Sequence, residues 1–413
     1  MNDEGGAETE EMYVQCCIAG GGPAGMVLGL LLARAGVKVA VLEKHADFLR
    51  DFRGDTIHPS TLEIMHELGI LDEFLKRPHQ EARELGAVIG GTTLKVIDFS
   101  RLPTRCKFIA LMPQWDFLNF VAEHAKRYSS FQLRMETEVT DLIWDHETAI
   151  GVRAKTPHGR LEVRSALVVG TDGRHSTVRE KAGLEIVDLG APMDVLWMRL
   201  SRHEDDPGQS LGRFDTGRIL VMINREDYWQ CAFVIKKGSW IEIQQKGLPA
   251  LRDELVRLAP FLSDRVNELA SWDDIKLLTV AADRLRQWYR PGVLCIGDAA
   301  HAMSPIGGVG INLAVQDAVA TANILAGPFL RGAITVDDLS KVQRRREWPT
   351  LMTQRLQAFI QNRVIGRVLG GGARPSAPLV LRLMNQWPPL RRIPARVLGV
   401  GFRPEHVRTT PLK

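Results

Sequence analysis

Residues 14–25 read VQCCIAGGGPAG, an apolar strand that runs directly into a glycine-rich turn. An apolar helix pattern follows over residues 26–35. In such a turn Gly20 makes the tight bend, Gly22 lets the backbone approach a pyrophosphate, and Gly25 lets the helix pack closely on the strand. The unpaired N–H groups at the start of the helix favour the charge of the phosphates. The stretch therefore predicts a dinucleotide-binding unit.

A second strand pattern covers residues 37–42 and ends at Glu43, which lies 21 residues beyond Gly22. An acidic residue about 20 residues after the turn is the expected acceptor for a ribose hydroxyl. A lone glycine-rich turn also occurs for structural reasons, but the order strand, turn, helix, strand and acid makes a nucleotide site the favoured interpretation. This motif alone leaves both NAD and FAD open.

The composition is that of a globular protein with two or three domains. The chain has 413 residues, of which 45% are hydrophobic and 25% are charged, and these values exclude the disordered and fibrous classes. The five cysteines show neither metal-ligand spacing nor a disulfide framework; they are Cys16, Cys17, Cys106, Cys231 and Cys295. We therefore predict no metal site and a reducing, cytoplasmic location.

The amino terminus and the apolar stretches bear on location too. Residues 1–11 are acidic and lack the order of a signal peptide, and we expect them to be disordered. The apolar run over residues 26–40 is interrupted by glycines, Arg34 and Lys38, so it falls short of a spanning helix. We therefore expect no transmembrane segment.

Charge is distributed unevenly along the chain. The overall charge is +4, but residues 331–413 hold 14 arginines and 2 lysines against 4 acidic residues, a net charge of +12 that leaves −8 for the remainder. Such a tail can meet nucleic acid, an anionic membrane face or the acidic body. Because the arginines alternate with apolar residues and prolines, helix faces packed on the body are favoured. We expect no nucleic-acid partner, and contact with a membrane surface stays open.

Two later turns have the same strand-then-turn order as the first. One is Gly170-Thr171-Asp172-Gly173, and the other begins at Gly297-Asp298, passes Pro305 and continues into a helix pattern from Gly310. Each turn follows an apolar strand. In doubly wound α/β folds, ligands bind at the carboxyl ends of the strands. The three turns are therefore expected to converge on one ligand.

The order of these three motifs over residues 14–325 resembles the single-component flavoprotein hydroxylases of the 4-hydroxybenzoate hydroxylase type. The resemblance implies that the nucleotide is FAD, with its diphosphate on the first turn and its ribityl chain on Asp298. It implies an α/β fold in which a Rossmann-like FAD-binding domain is interleaved with an antiparallel β-sheet substrate domain. The cofactor-binding positions that it implies are Gly20, Gly22, Ala24, Gly25, Glu43, Lys44, Arg53, Gln114, Asp172, Gly173, Gly297, Asp298, Pro305, Gly308, Gly310, Ile311 and Asn312.

The domain boundaries follow from these motifs and from the strand and helix patterns. The FAD-binding domain is predicted to be discontinuous, over residues 12–80, 105–190 and 282–330. The substrate-binding sheet domain takes residues 81–104 and 191–281, where alternating apolar residues indicate antiparallel strands. Residues 331–413 form a helical, basic C-terminal segment, whose long helix pattern over 339–364 we expect Pro349 to kink or interrupt.

The resemblance also implies the reaction: an FAD-dependent monooxygenase uses NADH or NADPH and O2 to hydroxylate an aromatic small molecule through a flavin C4a-hydroperoxide. Arg53 and Pro305 would be the catalytic residues, with Pro305 beside the ring where oxygen adds. The helix start near Gly310 offers N–H donors from Ile311 and Asn312 to the charge of the reduced flavin.

The substrate pocket is expected in the sheet domain, where aromatic residues are dense. Its predicted wall residues are Trp197, Met222, Tyr228 and Phe233. Tyr228 and His203 are candidates for a base that activates a phenol, although a structural role is favoured for both. The expected assembly is a monomer or a homodimer.

Other interpretations stay open at this point. A hydrolytic triad of His301, Asp298 and Ser304 is disfavoured because the chain has no Gly-x-Ser-x-Gly elbow. The same scaffold could serve a flavin-dependent halogenase or reductase. A membrane-associated flavoprotein acting on a quinone or prenyl substrate could be anchored through residues 378–402. A protein that carries FAD only as a structural element would show no NAD(P)H turnover.

Overall fold

The computed structural model describes residues 9–49, 56–208, 210–370 and 378–412. The strands in these ranges are β1 (Thr9–Ala19), β2 (Val39–Leu42), β3 (Thr56–Ile57), β4 (Gln80–Ala82), β5 (Glu84–Ile89), β6 (Thr92–Asp98), β7 (Ile109–Leu111), β8 (Phe131–Arg134), β9 (Glu138–Asp145), β10 (Thr148–Thr156), β11 (Gly159–Gly170), β12 (Ile186–Asp188), β13 (Met193–Ser201), β14 (Leu211–Asp215), β15 (Arg218–Asn224), β16 (Tyr228–Lys236), β17 (Lys276–Leu278), β18 (Asp283–Leu285), β19 (Tyr289–Arg290) and β20 (Val293–Cys295).

The helices are α1 (Pro23–Arg34), α2 (Pro59–Glu67), α3 (Leu71–Phe74), α4 (Gln114–Ala125), α5 (Thr177–Lys181), α6 (Trp240–Lys246), α7 (Leu248–Leu258), α8 (Gly310–Leu330), α9 (Val336–Ile360), α10 (Gly366–Leu369), α11 (Leu379–Gln386) and α12 (Arg392–Gly399). A π-helical turn, Gln361–Ile365, joins α9 to α10. Two short 3-10 turns, Gly297–Ala299 and Ile306–Gly308, precede α8.

The first sheet brings the three predicted turns together. Its strand order is β19-β20-β11-β1-β2-β8, and β1, β2, β8, β11 and β20 run parallel. The register pairs Ala19 with Gly170, and Gly170 with Cys295. These three residues end their strands immediately before the three turns, so the turns lie side by side at one edge of the sheet. The predicted α/β fold is confirmed.

The second sheet has the order β17-β13-β16-β15-β14-β5-β6 and is antiparallel except where β14 runs parallel to β5. Its two faces pack against different partners. One face, here called the helix-side face, packs on α7, which contributes Leu251 and Leu255 to the shared core. The other, here called the inner face, packs against Ile306, Ile365 and Leu369. The inner face therefore looks toward the loop after the third turn.

Two expectations about regular structure need correction. Disorder was expected over residues 1–11, but β1 begins at Thr9, which pairs with Arg160 of β11, so residues 9–11 are ordered by the sheet. Residues 1–8 lie outside the described ranges. Pro349 was expected to kink or interrupt its helix. An interruption is wrong, because α9 continues through this proline and gives way to the π-helical turn only at Gln361, whereas a kink stays a prediction.

One stretch of the described residues, Ile306–Leu330, is long and apolar enough to cross a membrane. However, 78% of an 18-residue apolar part of this stretch is buried inside the protein, as is usual for the core helix of a globular domain. A single helix of this kind is weak evidence for a membrane span.

Candidate functional site

The first turn is shaped by contacts that only glycine permits. Gly20 has a φ of 103°, and a Cβ atom there would lie 2.6 Å from the carbonyl oxygen of Thr171. A Cβ atom on Gly25 would lie 2.0 Å from the carbonyl oxygen of Gly20. Gly22 differs, because its nearest neighbour would be 4.0 Å away. The turn is therefore open on the side of Gly22. No described side chain caps the start of α1, so the N–H groups of this helix start are available to an anion.

Glu43, at the end of β2, holds the first turn in place. Its Oε2 atom accepts a hydrogen bond from the backbone N–H of Gly21 at 2.8 Å, and its Oε1 atom accepts one from the N–H of His45 at 3.1 Å. The predicted ribose contact of Glu43 stays a prediction. Lys44 is exposed beside it. Arg53, predicted to be catalytic, lies outside the described residues.

The second turn is locked to the first by Thr171. Its backbone N–H and its Oγ1 atom both donate to the carbonyl oxygen of Ala19 at 2.8 Å, and Oγ1 also contacts the carbonyl oxygen of Gly20 at 2.7 Å. Gly173, with a φ of 85°, completes the turn. The first and second turns are therefore joined directly by hydrogen bonds.

Asp172 organises the helix start that follows the second turn. Its carboxylate accepts hydrogen bonds from the Ser176 hydroxyl at 2.5 Å and from the N–H of Val178 at 3.1 Å. Burial raises the pKa of Asp172 above its usual value, although these hydrogen bonds oppose the shift. This residue therefore has a clear structural role, and its predicted contact with the cofactor stays a prediction.

The third turn lies against the first helix. Gly297 has a φ of 59°, and a Cβ atom there would lie 3.2 Å from the Cβ atom of Ala24. Asp298 follows at a half-buried position. Gln114, at the first residue of α4, is also half-buried. The sequence-predicted residues of the first and third turns are thus brought together.

A buried ionic network binds the first residue of the third turn, Gly297. The Asp317 Oδ2 atom contacts His301 Nε2 at 2.6 Å and accepts the N–H of Gly297 at 3.1 Å. Its Oδ1 atom accepts a hydrogen bond from Arg346 Nε at 2.8 Å, and Arg346 also reaches Glu405 at 3.3 Å. Burial opposes ionisation, but His301 and Arg346 hold the pKa of Asp317 below its usual value. The network joins the third turn to the C-terminal segment.

This network also contradicts the hydrolytic triad of His301, Asp298 and Ser304. The partner of His301 is Asp317 on α8, and not Asp298 or Ser304. The Ser304 hydroxyl instead accepts a hydrogen bond from Gln361 Nε2 at 2.8 Å. A serine whose partner is a glutamine amide has no general base beside it.

Three buried glutamines of the C-terminal segment, here called the glutamine ladder, hold the loop that carries Pro305. Gln354 Nε2 donates to the carbonyl oxygens of Asp283 at 2.7 Å and Ala302 at 3.4 Å. Gln357 Nε2 donates to those of Ser304 and Ile306, both at 2.9 Å. Gln361 binds the Ser304 hydroxyl. The backbone on both sides of Pro305 is therefore fixed by side chains of α9 and the π-helical turn.

The start of α8 is a second candidate anion site. No described acidic residue lies in its first turn, no described side chain caps it, and a Cβ atom on Gly310 would meet nothing within 4 Å. Gly308 is tightly held, because the Thr56 hydroxyl donates to its carbonyl oxygen at 2.8 Å. The Asn312 side chain is occupied by the Thr61 hydroxyl. At this helix start the backbone N–H groups, including those of Ile311 and Asn312, are therefore the donors that a ligand can meet.

His58 is a buried residue of this region that the sequence analysis missed. Its Nδ1 atom lies 2.8 Å from the carbonyl oxygen of Leu398, and a backbone contact with Gly308 ties it to the same loop. Burial lowers the pKa of His58 to about 4, so the ring is neutral and donates from Nδ1. A histidine directly before the proline that starts α2 was the only signal in the sequence.

This lowered pKa predicts an acid-dependent loss of stability. Because unfolded His58 protonates near pH 6.5 while the folded residue stays neutral, the unfolded state gains protons first as the pH falls. We expect about 2 kcal/mol of unfolding free energy to be lost through His58 between pH 6.5 and 5. Denaturant unfolding of wild type and His58→Asn should show a smaller loss in the variant. Identical pH profiles would contradict this assignment.

The four predicted substrate residues do not share one surface. Trp197 lies on the inner face and packs in the same cluster as Ile306. Tyr228 lies at a strand end, with the Arg199 guanidinium 3.9 Å from its ring centre. Met222 and Phe233 belong to the helix-side core under α7. Their predicted place in the pocket wall stays a prediction. The strand alternation places these two on the opposite face from Trp197.

The inner face is instead lined by the apolar residues that alternate with them. These are Met193, Val195, Ile219, Val221, Ala232 and Val234. His203, a candidate base, is exposed beside Asp264, with 3.5 Å between Nδ1 and Oδ2. It therefore lies outside this apolar wall.

The arrangement fits FAD in its shape and in its donors. Gly22, Gly173 and Gly310 each leave open space where a side chain would stand. No described side chain caps the start of α8, and this helix packs on the third turn, because a Cβ atom on Gly297 would lie 3.4 Å from the Cβ atom of Ala314. In an extended dinucleotide the diphosphate needs one helix start, and the reduced isoalloxazine ring needs another source of N–H donors. The class of protein that this fold and site define is a dinucleotide-dependent flavoprotein.

Comparison with known proteins identifies the family. Residues 13–349 match the family model described as FAD binding domain. The chain is 31% identical over 394 residues to 6-methylpretetramide 4-monooxygenase of Streptomyces rimosus, covering 93% of this chain and 92% of that protein. It is 25% identical over 339 residues to para-nitrophenol 4-monooxygenase of Pseudomonas sp. (strain WBC-3), covering 80% and 82%. The chain belongs to the family of FAD-dependent aromatic hydroxylases.

A solved structure supports the same fold. The p-nitrophenol 4-monooxygenase PnpA from Pseudomonas putida DLL-E4 superimposes with a TM-score of 0.76 at 21% identity, covering 94% of this chain and 97% of that one. The protein is accordingly an FAD-dependent monooxygenase, and NAD(P)H is the typical co-substrate of the family. These relatives do not favour the alternatives of a quinone- or prenyl-directed flavoprotein, a halogenase or a reductase.

Proposed function

We propose that this monooxygenase hydroxylates a phenol with several fused rings, of the aromatic polyketide type. The observation that carries the proposal is the apolar inner face, on which Val195, Ile219 and Val234 cluster with Trp197 and Ile306. A broad apolar wall buries fused rings and derives binding energy from their area. The likeness to 6-methylpretetramide 4-monooxygenase over nearly the whole chain supports the same substrate class.

We further propose specific roles for residues of the site. The first turn holds the FAD diphosphate at Gly20, Gly22 and Gly25, and Asp298 meets the ribityl chain. The N–H groups of Ile311 and Asn312 stabilise negative charge on the flavin. FAD bound there supplies hydride acceptance and oxygen transfer. Pro305 lines the reacting side of the ring, and the inner face orients the substrate and excludes water.

A substrate panel tests the proposed substrate class. Purified protein carrying FAD is incubated with NADH or NADPH and either a tetracyclic polyketide phenol or p-nitrophenol. We expect a kcat/KM at least about tenfold higher for the fused-ring phenol, because the larger ring system buries more apolar area. The product should be heavier by one oxygen atom. A preference for p-nitrophenol would contradict the substrate class, and a halide requirement would contradict hydroxylation.

For the cell compartment we propose the cytoplasm. All five cysteines are buried and free, and burial raises the pKa of Cys16 and Cys17. A chain with five unpaired thiols suits a reducing compartment. The monomer or homodimer expected from the sequence stays a prediction that light scattering can test.

A further inference from the structure

The helices α11 and α12 display an apolar surface that the proposed function does not use. Its members, here called the C-terminal patch, stand well out into solvent. The exposed fractions are 72% for Leu379, 64% for Val380, 39% for Leu383, 64% for Trp387 and 65% for Ile393. Four of the five lie within residues 379–387, and large apolar side chains concentrated at such exposure mark an interaction site.

The opposite side of the same helices is firmly packed on the protein. Leu381 packs against Ala87, Ile89 and Leu94, and Met384 is buried. The Asn385 side chain accepts the backbone N–H of Lys95 at 3.0 Å. The buried Arg391 donates to the carbonyl oxygens of Met384 and Asn385, which fixes α11 relative to the start of α12. The patch is therefore the outer face of a rigid element, presented in a fixed orientation.

The segment of the chain that carries the patch has charged residues of a single sign. Between Glu347 and Glu405 the sequence contains nine arginines and no acidic residue. Three of these arginines are exposed on the patch helices or at their ends, namely Arg382, Arg392 and Arg396. The surface therefore combines projecting apolar side chains with positive charge that no nearby carboxylate in the sequence neutralises.

We propose that the C-terminal patch docks on the surface of an anionic lipid bilayer. Tryptophan and leucine enter the boundary between headgroups and acyl chains, while arginines meet the lipid phosphates. A second copy of the chain fits poorly, because two such surfaces carry the same charge and repel. An acidic protein would match the charge, but it would have to provide its own apolar groove for each projecting side chain. The short helices, separated by Pro388 and Pro389, lie on a membrane and do not cross it.

Vesicle sedimentation with the full-length, FAD-containing protein tests this proposal. Vesicles of phosphatidylcholine alone are compared with vesicles that contain one quarter phosphatidylglycerol, at low and at high salt. We expect a partition coefficient at least about tenfold higher on the anionic vesicles, with most of this binding lost at 0.5 M salt. The triple variant Arg382→Gln, Arg392→Gln, Arg396→Gln should lose about a hundredfold on the anionic vesicles. Leu379→Ser combined with Trp387→Ser should lose about tenfold on them.

Matched variants separate the patch from general surface properties. The triple variant Lys126→Gln, Lys155→Gln, Lys181→Gln removes the same charge from exposed positions elsewhere, and Ile241→Ser removes a side chain that is 67% exposed outside the patch. Both controls should bind as wild type does. Flavin absorbance and melting temperature confirm that each variant is folded.

If wild type stays in the supernatant with anionic vesicles, or if patch and control variants bind equally, the proposal is overturned. Dimers that the Leu379 and Trp387 changes dissociate would overturn it in favour of a second copy. Because sedimentation needs no substrate, its failure leaves the proposed hydroxylation untouched.

Discussion

Replacement of Asp317 by asparagine should destabilise the protein by about 3–5 kcal/mol, the usual cost of breaking a buried ion pair by removing one partner. Asp317 is fully buried and its two oxygens accept from three groups: His301, Arg346 and the N–H of Gly297. Asparagine keeps one acceptor and turns the other into a donor that faces donors. Arg346 would lose its carboxylate partner at position 317 and would keep Glu405 and the carbonyl oxygen of Arg403 as partners at a buried position. Denaturant unfolding followed by tryptophan fluorescence measures the loss.

The same substitution should weaken the binding of FAD, because Gly297 begins the turn that carries Asp298 and loses its carboxylate partner. A titration of apoprotein with FAD gives the dissociation constant. Asp337→Asn is the matched control: Asp337 is an exposed residue that pairs with Lys341, and its loss should leave the stability close to that of wild type. A double variant with Arg346→Gln should cost less than the sum of the two single changes. Equal stability of the Asp317 and Asp337 variants would show that the network contributes nothing.

The nucleotide turns could be predicted from the sequence because their physics is local. Each needs an apolar strand, a glycine whose position a side chain would block, and a helix that starts at once. The clash of a Cβ atom at Gly25 with the carbonyl oxygen of Gly20 spans only five residues. The register of the parallel strands then brings the turns together, as the strand order predicts for such sheets. For the same reason the family and the cofactor could be inferred before the structure.

The supports behind the turns could not be predicted, because their partners are far apart in the chain. Gln357 lies 53 residues from Ser304, and Arg346 lies 29 residues from Asp317. Nothing local marks a glutamine as a ligand for a distant carbonyl group. Likewise, the faces of Met222 and Trp197 cannot be compared until the register between β13, β15 and β16 is known. With that register, strand alternation places the two residues on different faces. The aromatic density of this region suggested a pocket, but the pairing of the strands decides which residues line it.

Replacement of Gln357 by leucine should uncouple the enzyme. The Gln357 amide donates to the carbonyl oxygens of Ser304 and Ile306, on either side of Pro305, and the side chain is 95% buried. Leucine fills a similar volume but leaves both carbonyl groups without this donor, at a cost of about 2–3 kcal/mol. The loop then relaxes, and a misplacement of about 1 Å beside the reacting centre reduces rates up to about a hundredfold. We expect the ratio of hydroxylated product to NAD(P)H consumed to fall at least about tenfold, with hydrogen peroxide making up the difference.

A neighbouring glutamine on the same helix provides the control. Gln343 accepts the N–H of Trp288 at 3.0 Å and donates to the carbonyl oxygen of Arg286 at 2.9 Å, so Gln343→Leu also removes hydrogen bonds to two backbone groups, but away from the Pro305 loop. Both variants should lose stability, whereas only Gln357→Leu should lose coupling and show faster hydrogen exchange over residues 302–308. Similar uncoupling in both variants would mean that α9 acts on the reaction through general stability. Unchanged coupling in Gln357→Leu would mean that the loop keeps its position through Gln354 and Gln361 alone, because these two bind Ala302 and Ser304 of the same loop.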